Sequence, residues 1–450
     1  MQNPRNLVVF GLGVSAIALI DFAKLTKKFN IIASDDSEQK ITKISADFQN
    51  CPNISFFQLN QIDFNNVDLI VCAPSVKADS QIYEIAQSKK IKIICDIELM
   101  GQFCENSQFI AITGTNGKST SCALTHHVLK ENGIPVDLGG NIGRAVFDLP
   151  LKANNNYVLE LSSFQLNLID KTRFNISAIL NITPDHLDYH GNMENYIEAK
   201  KRIFLNSQAN DYLILNIDDK NCQKIHQELT NSKLKLITIS CNNSIITINF
   251  NGKILDHNIK NSQFLKGDHN LYNIALAFIV GKIYDLPNKS IYQAIDSFQG
   301  LKHRLQLVEK VDNINFINDS KATNAVSCEA ALKSFDNIYL ILGGIAKEGG
   351  IESLKKYFSK IKYVFLIGQA TDQFSQTLEG NVKYFKCHNL QKAFEKAINI
   401  AKDDGKNDQI NILLSPACSS FDQWSSFEER GTFFSQLVKN FNATKLQKTT

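Results

Sequence analysis

The sequence predicts an α/β protein of three domains: a Rossmann-like first domain, a central domain with a phosphate loop, and a Rossmann-like third domain. Short β-branched runs alternate with helix-compatible segments, which is typical of parallel sheets covered by helices. Two of these runs end in glycine turns that open helices. The length of 450 residues suggests about three domains. We expect domain boundaries at 1–100, 101–301 and 302–450.

The composition excludes several classes of protein. With 48 basic and 45 acidic residues, the net charge of +3 gives no electrostatic reason to expect nucleic acid or an anionic membrane as partner. No apolar run approaches the roughly 18 residues of a membrane-spanning helix, and the N-terminus lacks a signal-peptide pattern. The ten cysteines show no C-x-x-C pair, which argues against a zinc ribbon or a disulfide framework. We therefore expect free thiols and a cytoplasmic protein.

The first domain opens with a strand at residues 7–10 that meets Gly11 and Gly13 before a helix. This is half of a dinucleotide-binding pattern, because Ala16 replaces its third glycine. A second strand at 31–34 ends at Asp35 and Asp36, about where a ribose-binding acid would lie. Such a turn alone could hold NAD, a UDP-sugar or nothing. Strands at 69–73 and 92–95 continue the α/β alternation.

The central domain begins with an apolar run at 109–112 followed by T-G-T-N-G-K-S-T. A strand, a glycine turn and a helix N-terminus form an anion site, since backbone N–H groups converge there and the helix dipole favours negative charge. Lys118 would reach the outer phosphates and Ser119 or Thr120 would bind Mg²⁺. Ile112 stands where the usual pattern has its first glycine, so the loop is a shortened variant. The alternative is an ordinary turn with a surface lysine.

Polar residues follow two further strands of this domain. Glu160 lies near the end of a strand at 157–161, where it would hold Mg²⁺ or stand at the sheet edge in solvent. A strand at 178–182 leads into T-P-D-H-L-D-Y-H, in which His186 is a candidate metal ligand or phosphate contact. The alternative there is a polar loop with capping aspartates. Sequence spacing does not choose between them.

The helical pattern at 194–204 places Lys200 on the same face as apolar residues. Periodicity alone favours a side chain that snorkels to solvent over a catalytic one. The run at 245–250, followed by Asn-Gly, predicts a hairpin. Asn270 and Asn273, one turn apart at the start of an apolar helix, could contact a nucleotide or cap that helix.

The third region begins near residue 302 and reads as another α/β unit. A strand at 316–318 leads into D-S-K-A-T-N, and strands at 339–342, 363–367 and 410–414 follow. Loops after these strands carry Lys347 and the stretch S-P-A-C-S-S-F-D-Q-W-S-S-F-E-E-R-G. We expect polar residues of these loops to meet at one edge of a third sheet.

Taken together, T-G-T-N-G-K-S-T, E-L-S-S-F-Q, G-D-H-N-x-x-N and G-L-K-H-R resemble the Mur ligase family over the whole chain. D-S-K-A-T-N and L-S-P-A-C-S-S-F-D-Q-W resemble the member that adds D-glutamate. The resemblance implies an ATP-dependent, Mg²⁺-requiring ligase that adds D-glutamate to UDP-N-acetylmuramoyl-L-alanine through an acyl phosphate in peptidoglycan synthesis. It implies UDP-precursor, ATP and D-glutamate/ATP-contacting domains in that order. We expect a monomer.

The resemblance also assigns site residues. It implies catalytic roles for Lys118, His186, Lys200 and Arg304. The metal ligands implied are Ser119, Glu160, His186 and Lys200, with Lys200 as an N-carboxylated lysine, which reverses the snorkelling interpretation. The ATP contacts implied are Gly114, Thr115, Asn116, Gly117, Lys118, Ser119, Thr120, Asn270, Asn273, Arg304 and Asp319. The substrate contacts implied are Val14, Ser15, Asp36 and Asn141 for the UDP precursor, and Lys321, Thr323, Lys347, Ser420, Phe421 and Phe427 for D-glutamate.

Three other functions compete with this interpretation. A folylpolyglutamate synthetase would share the phosphate loop and a carboxylated lysine, but S-P-A-C-S-S-F-D and the first domain argue against it. An NAD-dependent oxidoreductase is weakened by the missing third glycine, and a non-catalytic nucleotide switch by the number of polar groups at strand ends.

Overall fold

A computed structural model describes residues 4–250, 253–254, 259–260, 262, 265, 267–347, 349–404 and 408–449. The described chain forms two compact units: residues up to 262 with 268–298, and residues from 299 onwards with Leu265 and Gly267. The first unit contains two sheets and the second unit one. The predicted α/β class with three sheets is confirmed. No described helix has the length and apolar character needed to cross a bilayer.

The first sheet is fully parallel and has the strand order β3-β2-β1-β4-β5. The order reverses at β1, so the glycine turn after β1 lies at the switch point where ligands bind in such sheets. Sequence analysis does not predict β3, because it has only three residues. The strands are β1 (Arg5–Phe10), β2 (Phe29–Ser34), β3 (Ile54–Phe56), β4 (Leu69–Cys72) and β5 (Ile93–Ile94). The helices are α1 (Val14–Thr26), α2 (Glu38–Ser45), α3 (Gln81–Lys89) and α4 (Asp96–Met100).

The second sheet has eight strands in the order β13-β12-β11-β10-β9-β6-β8-β7. Its pairs from β7 to β11 are parallel, and β12 and β13 add an antiparallel hairpin. The predicted hairpin is confirmed, although its Asn251-Gly252 turn lies outside the described residues. The strands are β6 (Gln108–Thr113), β7 (Val136–Gly140), β8 (Asn156–Glu160), β9 (Ile176–Ile179), β10 (Tyr212–Asn216), β11 (Lys235–Asn242), β12 (Ile245–Phe250) and β13 (Lys253–Ile254).

Helices cover the second sheet and carry several candidate residues. They are α5 (Lys118–Glu131), α6 (Ser163–Asn167), α7 (Leu187–His190), α8 (Met193–Lys201), α9 (Lys220–Glu228), α10 (Asp268–Ile283) and α11 (Asn288–Ser297). The helix predicted at 194–204 ends at Lys201 and continues as a 3-10 turn, Arg202–Phe204.

The two sheets of the first unit share one hydrophobic core. Phe22 on α1 packs against Phe103 and Phe147, with ring centroids 5.3 and 5.1 Å apart. Both aromatic partners lie beyond residue 100, so apolar packing joins the segment before that residue to the segment after it. Burial of such rings is a large source of stability, about 2–3 kcal/mol each.

The second unit contains one six-stranded sheet in the order β14-β15-β19-β16-β17-β18. Only β14 is antiparallel to its neighbour. The carboxyl ends of the other strands therefore share one edge, where the predicted loops emerge. The strands are β14 (Gln306–Val311), β15 (Ile314–Asn318), β16 (Ile338–Gly343), β17 (Ile361–Ile367), β18 (Tyr384–His388) and β19 (Ile410–Leu414), and the helices are α12 (Ala325–Ser334), α13 (Thr371–Leu378), α14 (Leu390–Asp403) and α15 (Phe427–Thr449).

Candidate active site

The turn between β6 and α5 has the geometry of a phosphate loop. Gly117 occupies the cap position of α5 with φ +86°, and no side chain caps the first N–H groups of this 14-residue helix. A Cβ at Gly117 would lie 2.9 Å from Asn273 Oδ1. Lys118 Nζ donates to the carbonyl oxygens of Gly114 at 2.8 Å and Thr115 at 2.9 Å. Lys118 therefore lies across the loop, and the alternative of a surface lysine is wrong.

Lys200 on α8 is 1 % exposed and points to the same loop. Its Nζ donates to Gly114 O at 2.9 Å and to Thr113 Oγ1 at 3.4 Å. Burial, reinforced by the positive charge of Lys118, lowers the pKa of the Lys200 amine to about 7. The snorkelling interpretation is wrong, because the amine is buried and donates to the last residue of β6 and to the residue that follows it. Near neutral pH a substantial fraction of this amine is uncharged.

Glu160 ends β8 beside this loop and is 2 % exposed, so the alternative of a solvated edge carboxylate is wrong. Its Oε1 accepts a hydrogen bond from Asn141 Nδ2 at 2.9 Å. Its Oε2 is buried and has no hydrogen-bond partner among the described residues. The backbone of Gly140 approaches closely, since a Cβ there would lie 2.4 Å from Glu160 O. A buried carboxylate with one unpaired oxygen raises the free energy of the folded chain unless a cation binds that oxygen. The Glu160 side chain therefore fits a Mg²⁺ ligand.

His186 begins α7 with φ +53° and is about half exposed. Its ring lies 4.9 Å from Phe164, and its Nε2 lies 3.5 Å from Asp185 Oδ2. The neighbouring His190 is instead buried, and its Nε2 lies 2.9 Å from Ser163 Oγ. Within the described chain no three or more histidine, cysteine, aspartate or glutamate side chains cluster as a metal site. The assignment of His186 as a ligand stays a prediction.

Asn273 on α10 lies against the start of α5 and is 3 % exposed. Its Oδ1 accepts from Ser121 Oγ at 2.8 Å, and its Nδ2 donates to Asn270 Oδ1 at 2.9 Å. The two asparagines are therefore together beside the phosphate loop. Ser119 and Thr120 are in the first turn of α5, with Ser119 buried.

The glycine turn of the first sheet is completed by an acid. Asp35 Oδ2 accepts from Leu12 N at 2.7 Å and from Lys40 Nζ at 3.1 Å. Burial alone would raise the pKa of Asp35, but hydrogen bonds from backbone N–H groups, including that of Leu12, keep it below its usual value. Asp36 is exposed. The sequence offers both Asp35 and Asp36 as the acid of this turn, with Asp36 as the predicted substrate contact, and it is Asp35 that bonds to the turn in the structure.

A cavity of about 450 Å³ opens over this turn. Gly11 and Gly13 line it together with Asp35 and Asp36, and so do residues after β4. Gly11 has φ +87°, and a Cβ there would lie 2.7 Å from Ala73 Cβ. Val14 is 74 % exposed at the first position of α1, with Ser15 next to it.

In the second unit, Asp319 follows β15 and is 4 % exposed. Its Oδ2 accepts from Ser415 Oγ at 2.7 Å, and its Oδ1 accepts from Leu305 N at 3.2 Å. Burial raises the pKa of Asp319 to about 7, although those hydrogen bonds and the charge of Arg304 act in the opposite direction. Arg304 and Asp319 are therefore close enough for their charges to interact.

The loop after Asp319 meets the start of α15. Lys321 Nζ lies 6.0 Å from the ring centroid of Phe427, and Thr323 N donates to Lys321 O at 2.9 Å. Ser420 is buried, whereas Phe421 is 70 % exposed. Lys347 is exposed on the loop after β16.

A short bridge brings that loop to the loop after β19. Ile345 and Ser419 exchange backbone hydrogen bonds of 3.0 and 3.1 Å. Lys347 therefore follows closely on a residue that is paired with the neighbour of Ser420. This arrangement agrees with their predicted place in one pocket.

Arg430 on α15 is a residue to which sequence analysis gave no role. It is fully buried, and its guanidinium donates to Ser320 Oγ and O at 2.9 Å and to Cys418 O at 3.1 Å. It joins the loop after β15 to the loop after β19. Its position in F-E-E-R-G gives no signal for this, because the contacts are far apart in sequence.

Comparison with known proteins identifies relatives over the whole length. A family model described as the Mur ligase middle domain matches residues 112–281, and one described as the Mur ligase, glutamate ligase domain matches residues 303–418. A protein of Rickettsia bellii named UDP-N-acetylmuramoylalanine--D-glutamate ligase is 43 % identical, covering 98 % of this chain and 99 % of that protein. A protein of the same name from Paramagnetospirillum magneticum is 39 % identical, covering 97 % of each chain.

Solved structures share the fold at low identity. UDP-N-acetylmuramate-alanine ligase MurC from Thermotoga maritima superposes with a TM-score of 0.54 at 16 % identity, covering 98 % of this chain and 99 % of that chain. A pseudomurein peptide ligase type C from Methanothermus fervidus gives a TM-score of 0.52 at 17 % identity, covering 97 % and 100 %.

Proposed function

Because the chain belongs to the Mur ligase family, we propose that it uses ATP to join D-glutamate to UDP-N-acetylmuramoyl-L-alanine in the synthesis of peptidoglycan precursors. The phosphate loop beside the buried, half-satisfied Glu160 carries the ATP part of this proposal. The names of relatives at 39–43 % identity support the choice of substrates.

The proposed reaction has two steps. A carboxylate is a poor electrophile at neutral pH, so the γ-phosphoryl group of ATP is first transferred to the alanyl carboxylate, and ADP leaves. Lys118 and Arg304 stabilise the negative charge of the transferring group. The neutral amine of D-glutamate then attacks the acyl phosphate, and phosphate leaves from the tetrahedral intermediate as the amide forms.

Mg²⁺ would be held by Ser119, Glu160, His186 and Lys200. When bound, the ion supplies positive charge that polarises the phosphoryl oxygens. Asn141 orients Glu160 through the 2.9 Å hydrogen bond to Oε1, which leaves Oε2 for the cation.

We further propose that Lys200 is N-carboxylated. Its lowered pKa provides the neutral amine that can attack the carbon of CO₂. The N–C bond forms as one C=O π bond of CO₂ opens, and the attacking amine loses one proton. Together with the proton that leaves the ammonium beforehand, two protons are released, so a buried cation becomes an anionic carbamate. A carbamate oxygen is a hard ligand suited to Mg²⁺, whereas an ammonium is not. The change also removes the repulsion between Lys118 and Lys200.

The remaining contacts follow from the positions of the loops. Gly114, Thr115, Asn116, Gly117 and Thr120 of the phosphate loop would surround the phosphates, and Asn270, Asn273 and Asp319 would contact the nucleotide. Lys321 and Lys347 would bind the carboxylates of D-glutamate, bordered by Thr323, Ser420, Phe421 and Phe427. The cavity over Gly11 and Gly13 would take the uridine, near Val14, Ser15 and Asp36.

We also propose the domain boundaries 1–100, 101–301 and 302–450, a monomeric state and a cytoplasmic location. All ten cysteines, each of which is described, carry free thiols, which suits a reducing compartment.

The test is phosphate release from ATP in the presence of UDP-N-acetylmuramoyl-L-alanine, with D-glutamate, L-glutamate or meso-diaminopimelate as acceptor. We expect release that requires the UDP precursor and D-glutamate. Release with another amino acid would contradict the substrate assignment while keeping the ligase chemistry, and no release with any acceptor would contradict the proposed reaction.

A further inference from the structure

One asparagine side chain just beyond β9 makes three hydrogen bonds to the backbone of the phosphate loop. Asn181 Oδ1 accepts from Asn116 N at 2.8 Å and from Thr115 N at 3.1 Å, and its Nδ2 donates to Asn116 O at 3.1 Å. We propose that Asn181 is a positioning residue that holds the phosphate loop in its nucleotide-binding conformation, a role that rests on the proposed use of ATP.

The contact extends the pairing of β6 and β9 beyond the ends of both strands. Leu180 N donates to Thr113 O at 3.0 Å, and Thr115 N donates to the backbone oxygen of Asn181 at 2.9 Å. Thr183 N then donates to Thr115 Oγ1 at 3.0 Å. The loop therefore lies along residues 180–183, and the Asn181 side chain is the central link.

The Asn181 side chain holds a phosphate loop that is shorter than the usual one. Ile112 stands at the position of the first glycine of the usual pattern, so the loop is short. Asn181 accepts the N–H groups of Thr115 and Asn116, so these two loop donors are held in place just before the N-terminus of α5, the end of a helix that favours an anion. Because the amide of Asn181 is neutral, it satisfies the loop without adding negative charge beside the anion.

Two lysines depend on the same conformation. The Gly114 carbonyl accepts from both Lys118 and Lys200, and it belongs to the same peptide unit as the Thr115 N–H that Asn181 binds. On the far side, Tyr196 OH lies 3.1 Å from Thr115 Oγ1, and Lys200 Nζ lies 4.7 Å from the Tyr196 ring centroid. Loss of the Asn181 amide would let the loop move and would shift the acceptor that places both amines.

Asn221 provides a matched control. Its Nδ2 donates to Ile182 O at 2.8 Å, so it supports the residue next to Asn181 without touching the loop. A role of Asn181 in supporting this segment alone would give Asn181→Ala and Asn221→Ala the same phenotype: a lower Tm with unchanged nucleotide affinity. A positioning role would instead weaken nucleotide binding in Asn181→Ala and leave it unchanged in Asn221→Ala.

The experiment measures equilibrium binding of ATP with Mg²⁺ to the full-length chain. We expect Asn181→Ala to raise the Kd for ATP about tenfold or more, since two or three hydrogen bonds that hold the loop are lost. The Kd for UDP-N-acetylmuramoyl-L-alanine should stay within about twofold, because its site is in the first sheet, and Asn221→Ala should leave both values unchanged.

Amide hydrogen exchange without nucleotide gives a second readout. The N–H groups of Thr115 and Asn116 should exchange faster in Asn181→Ala. Asn181→Asp keeps an acceptor oxygen for these N–H groups but loses the donor to Asn116 O, so its exchange should fall between that of the wild type and that of Asn181→Ala. An ATP Kd and loop exchange in Asn181→Ala equal to those of the wild type would overturn the proposal. A wild type that binds ATP but does not join D-glutamate would overturn the proposed reaction and leave the Asn181 comparison standing.

Discussion

The first and second sheets each carry a strand that ends in glycines and runs into a helix, but residues of different charge complete the two turns. After β1, the carboxylate of Asp35 accepts the N–H of Leu12. After β6, the neutral amide of Asn181 accepts the N–H groups of Thr115 and Asn116, and Lys118 lies across the loop. The same local fold is thus completed by a carboxylate that is paired with Lys40 at one turn, and by a neutral amide and a lysine at the other.

The difference explains which part of a ligand each turn can hold. A carboxylate after the second strand suits hydroxyl or N–H donors such as those of ribose and uracil. The Lys118 amine next to the N-terminus of α5 suits a triphosphate. The residue after the neighbouring strand therefore decides the ligand, and the glycines only make room for it.

The largest expected effect comes from Lys118→Ala. Removal of the amine that spans the phosphate loop should lower kcat by about a thousandfold, because charge on the transferring phosphoryl group loses its main cationic partner in this unit. Phosphate release measures the loss, and Tm should stay near that of the wild type. A purified variant with wild-type kcat would contradict the role of the loop.

Lys200→Ala should lower kcat by about a hundredfold or more, because the proposed carbamate ligand is lost. Excess bicarbonate should not restore activity. The matched control is Lys201→Ala: this neighbouring lysine pairs with Glu198 at 2.8 Å and with Glu228 at 3.0 Å, away from the loop. Full activity of Lys200→Ala, or equal losses in both variants, would remove the assignment.

Asp35→Ala should raise the KM for the UDP precursor by about tenfold, since the Leu12 N–H loses its acceptor and the turn loosens. The KM for ATP should not change. Asp36→Ala, at the exposed neighbour, should have the smaller effect on the same KM in steady-state assays. The reverse order would favour Asp36 as the principal contact.

Asp319→Asn tests the buried acid of the second unit by its effect on stability. Because the pKa of Asp319 is raised to about 7 in the folded chain, protonation favours the folded state. That contribution is fully present below about pH 4 and is lost as pH rises to about 7. The wild type should therefore lose about 2–5 °C of Tm relative to the variant across this range. Parallel Tm curves for the two proteins would contradict the raised pKa.

Sequence analysis predicts the fold well where strands are long and apolar. β6, β16 and β19 are predicted from short, largely apolar runs rich in isoleucine and leucine, and the glycine turn after β6 marks the start of α5. β3 is missed because three residues carry no periodicity. The end of α8 shifts because the chain tightens into a 3-10 turn there.

Sequence motifs predict only those residues of the candidate site that belong to a motif. Lys118 and Glu160 are found because strand ends and glycine turns mark them. Periodicity correctly places Lys200 on the apolar face of α8, but it does not reveal that β6 ends beneath this helix and offers acceptors for the buried amine. Asn181 and Arg430 are missed for the same reason, because each bonds to a segment that is distant in sequence. A single sequence does not show which strands lie next to each other.

The most direct measurement is the binding of each nucleotide to variants of each turn. The Kd values for ATP and for UDP-N-acetylmuramoyl-L-alanine would be determined for the wild type, Lys118→Ala and Asp35→Ala. We expect Lys118→Ala to weaken only ATP and Asp35→Ala to weaken only the UDP precursor, each by about tenfold or more. If either variant weakened both ligands equally, or if the two effects were exchanged, the division of roles between the two turns would be wrong.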